Sequence, residues 1–187
     1  MSKIRTFVAI SPGKIPSLNR WLEELKKHHA EDKVKWTDNH QWHVTLRFVG
    51  DIEASELPEL INRLTSAFNK VKAGEMVVQG SGFFGSAASP KVLWAGIREN
   101  EWLADLQKRT VEACSEFGFS GESGSFHPHL TLARIKFLKD RSRLIEEVNR
   151  NKNTIWCLRE INQVTLFQSK LTQKGPLHSV LKQFELE

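Results

Sequence analysis

Two cysteines are all that this chain of 187 residues contains, Cys114 and Cys157. They have no metal-ligand spacing and form no disulfide framework. Cys114 fits the apolar stripe of an expected helix and Cys157 follows Trp156 in an expected strand. Both are read as core residues of a protein in a reducing cytoplasm. Long apolar runs are equally scarce. Met1-Ser2-Lys3-Ile4-Arg5 leads into only four apolar residues, Phe7 to Ile10, too few for a signal segment or a membrane span. No low-complexity linker divides the chain, which argues for one compact unit of two lobes rather than two independent domains. Tyrosine is absent altogether.

Charge is unbalanced only modestly. Lys and Arg total 27 against 22 Asp and Glu, a net of +5, which permits a polyanionic partner without requiring one. The basic clusters at Lys26-Lys27-His28-His29, Lys33/Lys35, Lys136 to Arg143 and Lys170/Lys174 are each too short for a disordered nucleic-acid tail. His28 and His29, closing a basic helix, are expected to be solvated.

Against this background one pattern stands out. His43-Val44-Thr45-Leu46 recurs as His129-Leu130-Thr131-Leu132, 86 residues later. With seven His, nine Thr and twenty Leu, random order would produce two such tetrads on the order of once in a thousand chains. The repeat is also wider than the tetrad: Phe7-Val8-Ala9 precedes His43 by 36 residues, and Leu93-Trp94-Ala95 precedes His129 by 36. A duplicated half explains both spacings, with approximate halves 1–86 and 87–187 of a single unit spanning 1–187.

Both tetrads lie in β-favouring sequence. On a strand, residues i and i+2 share a face, so each motif presents an imidazole beside a hydroxyl. Val44, Leu46 and Phe48 are expected to face the core, as are Leu130 and Leu132. Two such motifs converging on a cleft supply two proton-transfer groups and two hydroxyl donors, the equipment for opening a phosphodiester. Strict alternation puts Arg47 on the His43 face and Arg134 opposite His129. A metal is not expected, because no carboxylate or cysteine accompanies His40/His43 or His127/His129 at zinc-ligand spacing. Trp36, Trp42, Phe48, Phe84, Trp94 and Phe126 are assigned to the core by default, with one or two near the cleft available to stack on a base.

The remaining elements follow from periodicity and breakers. Strands are expected at Ile4 to Ile10, Val34 to Trp36 and from Trp42 until Gly50-Asp51 ends the run. Others are expected at Met76 to Phe84, Val92 to Ile97, Thr154 to Leu158, Ile161 to Gln168 and Leu177 to Leu186. Helices are marked by Leu18/Trp21/Leu22/Leu25, Leu57/Leu60/Ile61/Leu64/Phe68, Leu103/Leu106/Thr110/Cys114/Phe117 and Leu144/Ile145/Val148. Loops are expected at Gly82 to Pro90 and Gly118 to Ser125, and a turn at Lys174-Gly175-Pro176.

The chain resembles the two-histidine (2H) phosphoesterases, and within them the RNA 2′,3′-cyclic phosphodiesterases, also called 2′–5′ RNA ligase-like proteins. The residues that carry the resemblance run in order along essentially the whole chain. They are Arg5-Thr6-Phe7-Val8-Ala9-Ile10, Val34-Lys35-Trp36, the first motif extended to Gly50, Lys91-Val92-Leu93-Trp94-Ala95-Gly96, and Phe126-His127-Pro128 with the second motif extended to Arg134. The resemblance implies an α+β fold, bilobal and duplicated about a pseudo-twofold axis, with mostly antiparallel sheets lining a central cleft and helices outside. It also implies hydrolysis of RNA ending in 2′,3′-cyclic phosphate, tRNA halves among the candidates, to a 2′-phosphomonoester, without a cofactor. His43 is then the proton donor to the leaving 3′ oxygen and His129 the proton acceptor from water. Thr45, Thr131 and Arg134 become phosphate contacts. With a 5′-hydroxyl in place of water the same site would make a 2′–5′ linkage. One departure is visible: Gly175-Pro176-Leu177-His178 carries His178 where such proteins usually have Tyr. The alternatives are a small cyclic nucleotide or ADP-ribose cyclic phosphate as substrate, or a non-catalytic RNA-binding module. No membrane and no obligate protein partner is expected.

Overall fold

Residues 2–118, 125–172 and 175–187 are described by a computed structural model. The β-favouring runs become nine strands among these residues: β1 (Lys3–Ile10), β2 (Lys33–Trp36), β3 (Val44–Glu53), β4 (Gly74–Ser86), β5 (Ser89–Ile97), β6 (His129–Phe137), β7 (Ile155–Ile161), β8 (Gln163–Thr172) and β9 (Gly175–Glu185). Four helices intervene: α1 (Pro16–His28), α2 (Leu57–Phe68), α3 (Glu101–Ala113) and α4 (Arg141–Arg150). Each buries the stripe that its sequence spacing marks, for example Leu18, Leu22 and Leu25 on α1. The ends are set chemically. Asn100 caps α3 by accepting from the Leu103 amide at 2.8 Å, and the Asp140 carboxylate accepts from the Ser142 and Arg143 amides at the start of α4.

Two antiparallel sheets form, in the strand orders β3-β1-β8-β9 and β2-β6-β5-β4-β7. Each motif strand pairs with the strand that precedes it in the repeat, β3 with β1 and β6 with β5. The sheets do not follow the chain halves. β4 lies in the sheet of β5 and β6, while β8 returns to lie beside β1. One cluster of buried apolar residues runs through both sheets and their helices. α3 packs on β3 and α4 on β4, which leaves the motif faces turned away from the helices.

Four expectations are corrected. Gly82 to Pro90 is not a loop: β4 continues to Ser86, β5 begins at Ser89, and only Ala87-Ala88 turn between them. The small residues there serve packing, since a Cβ on Gly82 would lie 2.2 Å from the Trp94 ring. The first motif strand does not stop at Gly50-Asp51; Gly50 absorbs a left-handed φ of 90° and pairing continues to Glu53. His29 is not solvated. It is 3% exposed, with its ring Nδ1 2.6 Å from the Asp32 carboxylate. Phe48 is not in the core, for a reason that concerns the site directly. The Gly118 to Ser125 loop lies, except for its two ends, outside the described residues. So does Lys174, whereas Gly175 and Pro176 open β9.

Gly118 tests the packing behind β3. Its φ is 60°, and an added Cβ would meet the Val49 carbonyl oxygen at 1.9 Å. Gly118→Ala is therefore expected to destabilise the fold by about 1–3 kcal/mol through left-handed strain and the clash. Thermal unfolding measures it; an unchanged melting temperature would show that the backbone there yields freely.

Candidate active site

Val44, Leu46, Leu130 and Leu132 are all 3% exposed or less. Each contributes about 1.5–3 kcal/mol by burial, so slipping either strand by one residue would exchange these side chains for Thr and His. That anchors Thr45 and Thr131 on the open face. His43 immediately precedes β3 rather than lying within it, and His129 is the first residue of β6.

Beyond the motifs both strands change phase. In the β1–β3 pairing Ala9 faces Thr45 but Val8 faces Arg47, so β3 carries an extra residue. In the β5–β6 pairing Trp94 faces Thr131 but Leu93 faces Ala133, with the same consequence. A bulge of this kind turns two consecutive residues to one side and inverts the alternation after it. Leu46 and Arg47 are both buried, as are Leu132 and Ala133. Phe48 and Arg134 then emerge on the histidine face. Strict alternation thus fails at three residues: Arg47 turns inward, while Arg134 and Phe48 line the cleft.

That cleft has a volume of about 530 Å³. The structure brings His43, Thr45, His129, Thr131 and Arg134 together on its wall. It adds residues that the motif analysis had not assigned to a site: Arg5, Phe7, Lys35, Trp36, Thr37, Gln41, Phe48, Ser169, Leu171, Pro176 and His178. Lys35 stands directly opposite Arg134 in the β2–β6 register. No carboxylate is among the described residues of the lining. Arg5, at the rim, is paired with Asp51 through two contacts of 3.0 Å.

Both imidazoles are held in the same way. His43 Nδ1 lies 2.7 Å from the Gln41 carbonyl, and His129 Nδ1 lies 2.8 Å from the His127 carbonyl. A carbonyl oxygen only accepts, so each Nδ1 carries a proton and each Nε2 is the nitrogen free to exchange one. The anchor is a backbone group two residues upstream, which no side-chain pattern would reveal.

Their surroundings differ. His43 packs against Phe7 at 4.9 Å between ring centroids, against Phe167 at 6.3 Å and edge-on to His178 at 5.4 Å. Burial in this box lowers its pKa below the usual imidazole value. The hydrogen bond to Gln41 opposes that shift, and the charges of His178 and His129 add to it. Among the described residues His129 has one aromatic neighbour, the edge of Phe84 at 4.9 Å. Of the six aromatics assigned to the core by default, only Trp42 is fully buried; Phe48 and Phe84 are exposed.

The sequence profile of the LigT-like phosphoesterase family matches residues 8–94 and 96–178. A relative named RNA 2′,3′-cyclic phosphodiesterase, from Aquifex aeolicus, is 32% identical over 100% of this chain and 99% of its own. One of the same name from Thermotoga maritima is 27% identical over 98% and 96%. Among solved structures, TT0787 of Thermus thermophilus has a TM-score of 0.78 at 23% identity, covering 98% of each chain. Escherichia coli LigT complexed with 3′-AMP has a TM-score of 0.76 at 19% identity, covering 99% of each. These structures share the fold.

The depressed His43 pKa has a consequence with a definite sign. An anion entering the cleft favours the charged imidazole, so inorganic phosphate is expected to raise the His43 titration midpoint. NMR of the His43 ring with and without phosphate measures it. A midpoint that stays fixed at saturating phosphate would place the anion away from His43.

Proposed function

This chain belongs to the LigT-like phosphoesterase family, and we propose that it opens RNA 2′,3′-cyclic phosphate ends to 2′-phosphomonoesters. The observation that carries this reading is the pair of imidazoles on one cleft, each with Nδ1–H fixed to a carbonyl and Nε2 left to exchange a proton. Full-length relatives named RNA 2′,3′-cyclic phosphodiesterase support the substrate class.

In the proposed reaction water attacks phosphorus in line with the 3′ oxygen. His129 Nε2 takes the proton from water, the bond from phosphorus to the 3′ oxygen breaks, and His43 Nε2–H protonates that oxygen. His129 ends charged and His43 neutral, and exchange with solvent resets the pair. Thr45 and Thr131 donate to the non-bridging oxygens and Arg134 faces their charge. The reading assigns every step to side chains and needs no metal. With a 5′-hydroxyl in place of water the same steps join a 2′–5′ linkage.

Phe48 and Arg134 sit 86 residues apart, the spacing of the two motifs, and each follows its strand's phase change. One half thus offers a cation and the other an exposed ring. We assign Arg134 to the phosphate and Phe48 to stacking on the terminal base. The two match segments of nearly equal length support a single domain, 1–187, built of two intertwined lobes. The reading extends to RNA fragments such as tRNA halves as substrates. It also has the chain acting in the cytoplasm, where two free thiols persist, without an obligate partner.

The deciding experiment incubates the protein with a 2′,3′-cyclic-ended oligonucleotide in EDTA and identifies the product isomer; a 3′-phosphate, or no turnover, refutes the reading. His43→Ala and His129→Ala are each expected to cost about 10²–10⁴-fold in kcat/KM. Thr45→Ala or Thr131→Ala is expected to cost at most about 10²–10³-fold. A substrate with a better leaving group than ribose oxygen should rescue His43→Ala and not His129→Ala; the reverse pattern would exchange their roles. Affinity for a non-hydrolysable oligonucleotide should fall as salt rises. Salt-insensitive binding would instead favour a small cyclic nucleotide.

A further inference from the structure

A third imidazole shares the cleft. β9 carries His178 opposite Ser169 of β8, and its ring lies edge-on to Phe7 at 4.9 Å and to His43 at 5.4 Å. Its Nδ1 is sealed from solvent and meets no hydrogen-bond partner among the described residues. A buried N–H without an acceptor costs more than a buried lone pair. The neutral ring therefore carries its proton on Nε2, the nitrogen that is not sealed, and the residue lines the cleft. The charged or titratable groups on the same cleft are Arg5 of β1, Lys35 of β2, His43 before β3, and His129 and Arg134 of β6. None of them accepts a proton from a neutral imidazole donor except through a competing ring nitrogen. None of these charged or titratable groups offers His178 an oxygen acceptor.

We propose that His178 is a phosphate-contact residue, donating from its neutral Nε2–H to a non-bridging oxygen from the β9 side of the cleft. This rests on the phosphodiesterase reading and adds a donor from a strand that carries neither motif. The two motif histidines exchange protons in that reading, whereas His178 only holds. Its place against His43 gives it a second effect. Two imidazoles at this separation resist being charged together, so a charged His178 opposes protonation of His43. Burial also lowers the His178 pKa, which favours the neutral ring that donates from Nε2.

Two substitutions separate the donor from the ring. His178→Phe keeps an aromatic of similar shape and removes the donor; His178→Gln keeps an N–H donor and removes the titration. Turnover of a 2′,3′-cyclic-ended dinucleotide and binding of adenosine 2′-monophosphate are measured on the full chain, with melting temperature as the control for folding. His178→Phe is expected to raise KM and the Kd for adenosine 2′-monophosphate about tenfold to a hundredfold, the worth of one hydrogen bond to a charged group. Its kcat should stay within about threefold, since the contact persists from ground state to transition state. His178→Gln should recover most of the affinity, and both variants should raise the His43 titration midpoint seen by NMR. Unchanged Kd in His178→Phe, or His178→Gln as weak as His178→Phe, overturns the proposal. A wild-type protein that turns over while His178→Phe binds equally well removes this inference alone; one that neither binds nor turns over removes the phosphodiesterase reading with it.

Discussion

The cleft depends on where two strands slip phase. In β3 the slip falls between Thr45 and Arg47, and in β6 between Thr131 and Ala133. An unbulged β6 would carry Arg134 to the face that buries Leu130 and Leu132, and a guanidinium there would lose several kcal/mol of hydration without a partner. An unbulged β3 would keep Phe48 in the core and turn Arg47 outward. The apolar residues Leu132 and Ala133 accept burial side by side, so β6 tolerates the slip at no such cost. β3 instead buries Arg47, at 9% exposure. The aliphatic stem of an arginine can pack as apolar surface, and the burial of its neighbours Leu46 and Val49 holds the strand in that phase.

A second constraint acts on the imidazoles. A proton carrier must present one defined nitrogen, and here backbone carbonyls at Gln41 and His127 select it in both halves. The carbonyls depend on chain path and not on side-chain identity, so one position can be Gln and the other His. Around these rings the described lining of the cleft includes Lys35, Arg134 and, at its rim, Arg5.

The site was legible in the sequence where its signal is local. His43, Thr45, His129 and Thr131 are named by a repeated tetrad, and their neighbours Val44, Leu46, Leu130 and Leu132 fix which face they show. Helix stripes such as Leu18/Leu22/Leu25 were equally plain. What escaped is set by pairing partners far away in the chain. The phase of Phe48 and Arg134 is decided by registers with β1 and β5, and alternation alone assigns both to the wrong side. Gly82 to Ser86 read as a loop because the glycines resemble breakers, yet the Trp94 ring from the next strand occupies the space a side chain would need. His29 read as solvated because Asp32, which buries with it, belongs to the turn that follows.

Duplication poses a problem that these surroundings answer. Two like motifs in like surroundings would present two imidazoles that only the pose of the substrate could tell apart. The motifs are the same in His, Thr and tautomer lock, but the rings around them are not. His43 lies within a box of Phe7, Phe167 and His178, contributed by β1, β8 and β9, and its affinity for protons falls accordingly. Among the described residues the one aromatic ring against His129 is the edge of Phe84. The strand exchange is what makes this possible. β8 comes from the second half of the chain and brings Phe167 to the first motif, and β9 follows it with His178. The difference between the two imidazoles therefore arises from the sheets that receive the two motifs, while the repeated sequence supplies the same His and Thr to both.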